Sequence, residues 1–187
     1  MELNIEYIFI LCVLYINDIG DDLMNNHMEI PWHEYTNKDS KVKIENASLT
    51  EKSSIIGRIG LMLLACGTGA WRVRSSMNTI ASELNITCIA DIGLTNISYT
   101  CIDGIESHAQ SLSLHNTSVN TSKLARMEDF VYHFKDECKT CTCNEIHNQL
   151  DQIESIHSSY SPIILGLAAA LACSCFTFLL GGGPIEM

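Results

Sequence analysis

Between Glu154 and Glu186 the chain carries no Asp, Glu, Lys or Arg, and from Ile163 to Leu180 it reads IILGLAAALACSCFTFLL. A run of this kind has to be hidden from water, so it constrains everything placed before it. At 1.5 Å per residue, eighteen helical residues extend about 27 Å, close to the hydrocarbon thickness of a bilayer. The expectation is a C-terminal transmembrane α-helix over residues 161–183. Pro162 suits a first helical turn, and Gly181 to Gly183 with Pro184 end the helix. Gly166, Ala170 and Ser174 lie four apart, a spacing that lets a second helix approach closely. With no Lys or Arg within about 20 residues of either end, loop charge does not set an orientation. The other apolar run, Tyr7 to Ile16, is too short to span. Glu2 and Glu6 stand where a signal peptide carries basic residues.

The net charge of -11 over 187 residues excludes nucleic acid as a partner, because phosphate binding needs clustered Lys and Arg. Nine cysteines are an odd number, unlike the even set of a secreted disulfide scaffold. Cys12, Cys66, Cys88, Cys101, Cys173 and Cys175 sit in apolar or strand-like contexts, where a free thiol behaves as a small hydrophobe. That usage favours a reducing compartment.

Ordered structure is expected from Ser48, with residues 1–47 an extension or connector. Ser48-Leu-Thr-Glu51 fits a capping box. Ile55, Ile59, Met62 and Cys66 then recur at helical spacing, and Val73, Met77, Ile80 and Leu84 continue it. Gly67 and Gly69 interrupt this run, and each glycine costs a helix interior about 1 kcal/mol, which predicts a break. The period then changes. Ile86 to Asp91, Leu94 to Ile102 and Ala109 to His115 read as strands, with turn signals at Gly93 and Asp103-Gly104. Asn120 or Thr121 can cap a helix with a face of Leu124, Met127, Phe130, Val131 and Phe134, and a further helix carries Ile146, Leu150 and Ile153. The fold class expected over residues 48–160 is α+β: helices plus a small two- or three-stranded sheet, followed by the transmembrane helix.

Gly67-Thr-Gly69 is not a phosphate loop. A dinucleotide fingerprint needs a third glycine at position 72, which is Arg, and a preceding strand, whereas a helix precedes it here. No cofactor-binding motif is present. Cys138, Cys141 and Cys143, with His133 or His147, form a candidate zinc set. No nucleophile with a matched base is readable, since His108, His115 and His157 are scattered and no GxSxG occurs. Asp91 is a carboxylate in an otherwise apolar strand beside Gly93, either a turn-former or a functional group. Sequons at Asn46, Asn85, Asn96, Asn116 and Asn120 keep a single-pass surface glycoprotein with a Cys-rich ectodomain as one alternative. A zinc-binding membrane-tethered module is the other.

GRIGLMLLACGTGAWRVRSSMNTIASELNITCIADIGLTNISYTC resembles the N-terminal domain of the threonine/serine exporter family, with its glycine-ended helix, Arg-Val pair and following β-segment. VNTSKLARMEDFV, NEIHNQLDQIESIHSSYSP and LGLAAALACSCFTFLLGGG resemble the family's later segments in the same order, from about Ser53 to Gly183. The chain is similar to the larger subunit of split dicarboxylate (succinate) exporters. The resemblance implies a non-enzymatic, cytosolic α+β domain at the inner or plasma membrane. It also implies small amino acid or dicarboxylate substrates, and a second transporter subunit or a homo-oligomer as partner. It makes Gly67, Gly69, Arg72 and Asp91 the motif candidates and reads the chain as truncated after its first span.

Overall fold

The structure is a computed structural model and describes residues 30–35, 41–114, 120–156 and 162–181. Helix α1 (Leu49–Ala65) opens on the expected capping box. The Ser48 hydroxyl accepts from the Glu51 N–H at 3.3 Å, and the Glu51 carboxylate accepts from the Ser48 N–H at 3.0 Å. Its apolar spacing predicts one buried face, yet every residue from Lys52 to Leu64 is buried. Two glycines make this possible. A Cβ on Gly57 would overlap the Tyr99 hydroxyl and ring, and one on Gly60 would lie 2.7 Å from Met77 Sδ. Without side chains at these positions, strand and helix close onto flanks of α1 that periodicity leaves open.

The break falls where the glycines predict it. Cys66 caps α1, and Gly67 takes a φ of 76°. This is the left-handed conformation that terminates many helices. Helix α2 (Ala70–Glu83) then begins, with Gly69 as N-cap and Val73, Met77, Ile80 and Ala81 buried. Strands β1 (Thr87–Ile92), β2 (Asn96–Asp103) and β3 (Glu106–Ser113) form an antiparallel meander in the order β1-β2-β3. Along β2, Ile97, Tyr99 and Cys101 alternate into the core, as the two-residue period of a strand requires. The Tyr99 hydroxyl bridges the Ser53 carbonyl (2.9 Å) and the Gln110 side-chain amide (2.6 Å), tying the sheet to α1. Buried Lys52 donates to the Leu84 carbonyl at 3.3 Å. That carbonyl closes the C-terminus of α2, an end where a cation is favourable.

Helix α3 (Thr121–Glu137) is capped by Asn120, whose side chain accepts from the Lys123 N–H, and it buries Met127 and Phe134. Helix α4 (Cys143–Glu154) opens on a second capping box, Thr142 with Glu145, and buries Cys143, Ile146, His147 and Leu150. Before α1, single 3-10 turns span Trp32–Tyr35 and Ile44–Asn46. The second turn buries Ile44, whose N–H donates to the Cys141 carbonyl at 2.9 Å. Residues Pro31–Ser158 make one compact unit. The α+β expectation holds for this unit, with three strands.

Helix α5 (Pro162–Leu179) belongs to a second unit. Here the sequence expectation is corrected: among the described residues no helix is long and apolar enough to cross a membrane. The transmembrane helix expected over 161–183 is therefore not shown. The helix has 18 residues. Such a length reaches about 27 Å, against a hydrocarbon core of about 30 Å. Pro162, Gly166, Ser174 and Thr177 dilute its apolar run. The last two turn their hydroxyls back onto the carbonyls of Ala170 and Cys173.

The close approach at Gly57 is testable. Gly57→Ala gains roughly 0.5–1 kcal/mol of helix propensity, but forcing a methyl against Tyr99 costs about 1–3 kcal/mol. The substitution is expected to lower the midpoint of urea unfolding. An unchanged or raised midpoint would mean that α1 and β2 do not touch here.

Candidate functional site

The densest polar constellation among the described residues surrounds Arg58, the one charged residue in the run from Ser53 to Cys66. Its side chain is 3% exposed. One guanidinium nitrogen, Nη2, donates to Asp151 and, at 2.6 Å, to Glu154 Oε2. The other, Nη1, donates to the His147 carbonyl at 3.1 Å and meets His147 Nδ1 at 3.3 Å. Asp151 and Glu154 lie three apart on α4, and His147 lies one turn before Asp151, so a single face of that helix meets the cation. The Trp32 ring lies 5.9 Å from the guanidinium carbon and stacks on the His147 ring at 6.3 Å. The first of these is within the reach of a cation–π attraction. His33 closes the cluster: its Nε2 is 2.9 Å from Asp151 Oδ2 and its Nδ1 is 3.1 Å from Asn144 Oδ1.

The network assigns the tautomer of His147. Arg58 can only donate, so Nδ1 is an acceptor and the proton sits on Nε2. That nitrogen faces the Ser54 hydroxyl at 3.1 Å. Ser54 in turn donates to the Glu51 carbonyl at 2.8 Å. Burial pushes the His147 pKa down to about 3, with the Arg58 and His33 charges adding to the effect. The ring is therefore neutral. The proton runs from His147 toward Ser54, the reverse of what a general base requires. The cluster acts as a clamp, holding the Trp32–Tyr35 turn and α4 to the centre of α1. For Asp151, partial burial acts upward, but hydrogen bonds and charge from Arg58 and His33 outweigh it and hold the carboxyl below its usual range.

The motif candidates lie elsewhere. Gly67 is required by its φ of 76°, whereas Gly69, at φ -68° and ψ 145°, adopts a conformation open to any residue. Arg72 sits 5.4 Å from the Trp71 ring and pairs with Glu128 of α3 at 2.9 Å, both side chains 45% exposed. Such a pair adds at most about 1 kcal/mol. Asp91 lies exposed on β1 opposite Ser98. Arg72 and Asp91 are thus surface charges on separate elements. Their neighbour Arg74 donates to the Ala90 carbonyl at 3.1 Å, covering the free edge of β1.

The candidate zinc thiols do not converge. Cys138 faces Gln149, Cys141 the Glu137 carbonyl and Cys143 the Glu51 carbonyl. Burial pushes the Cys138 and Cys143 thiols up to about 12, away from the thiolate that a metal needs. Among the described residues no group of three or more His, Cys, Asp or Glu is placed to hold a metal ion. His147 is committed to Ser54 and Arg58, and His133 pairs with Asp129 at 3.2 Å. The latter pair lines an open groove of about 430 Å³ between α3 and α4, with Arg126, Glu137, Gln149 and Gln152. Of the sequons, Asn120 spends its side chain on the α3 cap and on the Ile156 carbonyl. His115, Asn116 and His157 fall outside the described residues.

Reading the sequence alone overlooks the Arg58 cluster. The available signal was one arginine inside an apolar helix, which demands acidic partners. Their identity was hidden by separations of 93 and 96 positions along the chain.

The described unit is an α+β domain built on a fully enclosed helix, with a glycine break leading to an Arg-Val pair and a three-stranded meander. The chain belongs to the threonine/serine exporter family: the family model ThrE, described as "Putative threonine/serine exporter", matches residues 54–187. No curated protein and no solved structure matches the chain. The family match includes Arg58, His147, Asp151 and Glu154, while Trp32 and His33 lie before it.

Two outcomes follow from the clamp. Removing both carboxylates (Asp151→Ala with Glu154→Ala) strands a buried cation and should cost about 3–5 kcal/mol, whereas Arg58→Met removes the charge itself and should cost much less. Equal losses in denaturant unfolding would place Arg58 in contact with water. The second outcome concerns pH. His147 titrates near 6.5 unfolded and near 3 folded, so the unfolded chain binds the extra proton between those values. Stability should fall as pH drops below about 6.5 and keep falling toward about 3. His147→Gln should flatten the thermal midpoint between pH 7 and 5, above the carboxylate range; an unaltered slope there would assign that titration to another group.

Proposed function

We propose that this chain supplies the domain-bearing part of an exporter of small hydroxy amino acids, threonine or serine, with dicarboxylates as the alternative substrate class. In this reading residues 48–160 form the exporter-family domain, facing the cytoplasm at the inner or plasma membrane. Residues 1–47 form an extension or connector, within which the described Trp32 and His33 pack against α4. Export is completed by further transmembrane segments or by a partner subunit. The observation that carries the reading is the family match, which runs from α1 through the end of α5 rather than covering one motif. An odd set of nine cysteines, with Cys66, Cys88, Cys101, Cys138 and Cys143 buried, suits a reducing compartment.

Gly67, Gly69, Arg72 and Asp91 are the proposed functional positions. Arg72 and Asp91 are accessible charges. Their loss costs the fold little, so a partner subunit or a membrane half can read them without unfolding the domain.

Deleting the gene in its host, then loading cells with a threonine- or serine-containing dipeptide, is expected to raise intracellular threonine or serine and slow its efflux. Re-expression should restore efflux. Arg72→Ala and Asp91→Asn should lower the restored rate severalfold at unchanged protein level. Unaltered retention of threonine, serine and succinate after deletion would overturn the exporter reading. Full activity of both variants would remove these two residues from it.

A further inference from the structure

Cys88 and Cys101 are directly opposite each other on β1 and β2. The hydrogen-bond parity of the ladder shows which kind of pair they make. At the β1–β2 turn the Gly93 N–H donates to the Asn96 carbonyl at 2.8 Å, so that pair is hydrogen-bonded. Hydrogen-bonded and non-hydrogen-bonded pairs alternate along an antiparallel ladder. Counting from there through Ile92–Ile97, Asp91–Ser98, Ala90–Tyr99 and Ile89–Thr100 makes Cys88–Cys101 a non-hydrogen-bonded pair. Ala90, on the same parity, turns its carbonyl away from β2 to Arg74, as this phase requires. Opposed residues in such pairs have Cα atoms about 4.5 Å apart, within the range of roughly 4.4–6.8 Å that a disulfide bridges.

Both side chains point to the core face, Cys88 at 8% exposure and Cys101 at 0%. The facing thiols shift each other: Cys101 raises the Cys88 thiol, and Cys88 holds the Cys101 thiol below its usual range, against desolvation. The other described cysteines lie elsewhere: Cys66 at the end of α1, Cys138, Cys141 and Cys143 around the α3–α4 junction, and Cys173 and Cys175 on α5. Among the described residues, Cys88 and Cys101 are the only cysteines paired across a ladder.

We propose that Cys88 and Cys101 form a dithiol modification site, which a small peroxide or a low-molecular-weight disulfide oxidises to a crosslink stapling β1 to β2. Burial selects the oxidant: with Cys88 at 8% exposure and Cys101 at 0%, a small molecule reaches the pair more readily than the cysteine of an oxidoreductase. With hydrogen peroxide, the Cys101 sulfur attacks one peroxide oxygen, the O–O bond breaks, and a sulfenic acid and one water result. The Cys88 sulfur then attacks the sulfenic sulfur, forming the S–S bond and releasing a second water. The two sulfurs supply the two electrons that reduce the peroxide, and the two thiol protons leave in the waters. With a disulfide such as oxidised glutathione, two exchange steps pass the same electrons and protons to two glutathione thiols.

The test is a thiol map of the full chain. The folded chain is treated with hydrogen peroxide or oxidised glutathione, its remaining thiols are alkylated in denaturant, and it is digested without reductant for mass spectrometry. The expected product is a peptide pair joined at Cys88 and Cys101, two hydrogens lighter than the separate peptides and released by dithiothreitol. Cys66 and Cys138 should be alkylated in the same sample, and the oxidised chain should melt at higher temperature. Chain oxidised in urea should give mixed pairings instead. Three results would overturn the site: full alkylation of Cys88 and Cys101 after oxidation, pairing of either with another cysteine, or an equal yield of the pair from unfolded chain. In Cys88→Ser and Cys101→Ser the surviving cysteine should remain free of intrachain pairing. If neither variant folds, the map of the unsubstituted chain decides.

Discussion

The structure depends on neutralising one guanidinium at the centre of a helix that has no exposed side. Arg58 is buried. It cannot shed its charge and cannot reach bulk water, so the chain must bring it counter-charge and hydrogen-bond acceptors. Helix α4 provides both, through Asp151, Glu154 and the His147 carbonyl. That requirement fixes the rotation of α4 about its own axis: turning it would withdraw both carboxylates at once. It also reaches the Trp32–Tyr35 turn, because Asp151 shares its second oxygen with His33 while Trp32 covers the guanidinium and the His147 ring. A neutral His147 is a consequence of this arrangement, since a second buried cation beside Arg58 would have no acceptor left.

The opposite flank of α1 is governed by volume rather than charge. Gly57 and Gly60 admit Tyr99 and Met77 to distances that any Cβ would forbid, and the Tyr99 hydroxyl then joins sheet to helix. Charge on one side and absent side chains on the other enclose α1. The family motif lies outside this arrangement. Gly67 ends the enclosed helix, and beyond it Arg72 and Asp91 face solvent. The residues that hold the domain together and these exposed charges are therefore largely distinct sets.

Much of the local structure was legible in the chain. The capping box at Ser48–Glu51 is a local hydrogen-bond device, and the change from helical to alternating spacing after Leu84 marks the passage from α2 to the sheet. The Gly67 break follows from backbone conformational freedom alone. Less legible was what each helix face meets. Periodicity assigns α1 a single buried stripe, but it cannot see that Gly57 and Gly60 let neighbours close on the remaining faces. Hydropathy summed over Ile163 to Leu180 suggests a membrane span, whereas the described helix stops at Leu179 and falls short in length and apolarity. Cys138, Cys141 and Cys143 look convergent in spacing, yet the α3–α4 junction points them at three different partners.

The sequence by itself determined the order of helices and strands, the helix break, the absence of a phosphate loop and the family, because each rests on interactions within a few residues or on a linear pattern. Tertiary structure alone decided the clamp around Arg58, the neutral tautomer of His147 and the placing of Cys88 against Cys101. These depend on strand register and helix rotation, which arise only when segments up to 118 positions apart pack against one another. A lone arginine in an apolar helix states that partners must exist; only packing says which ones arrive.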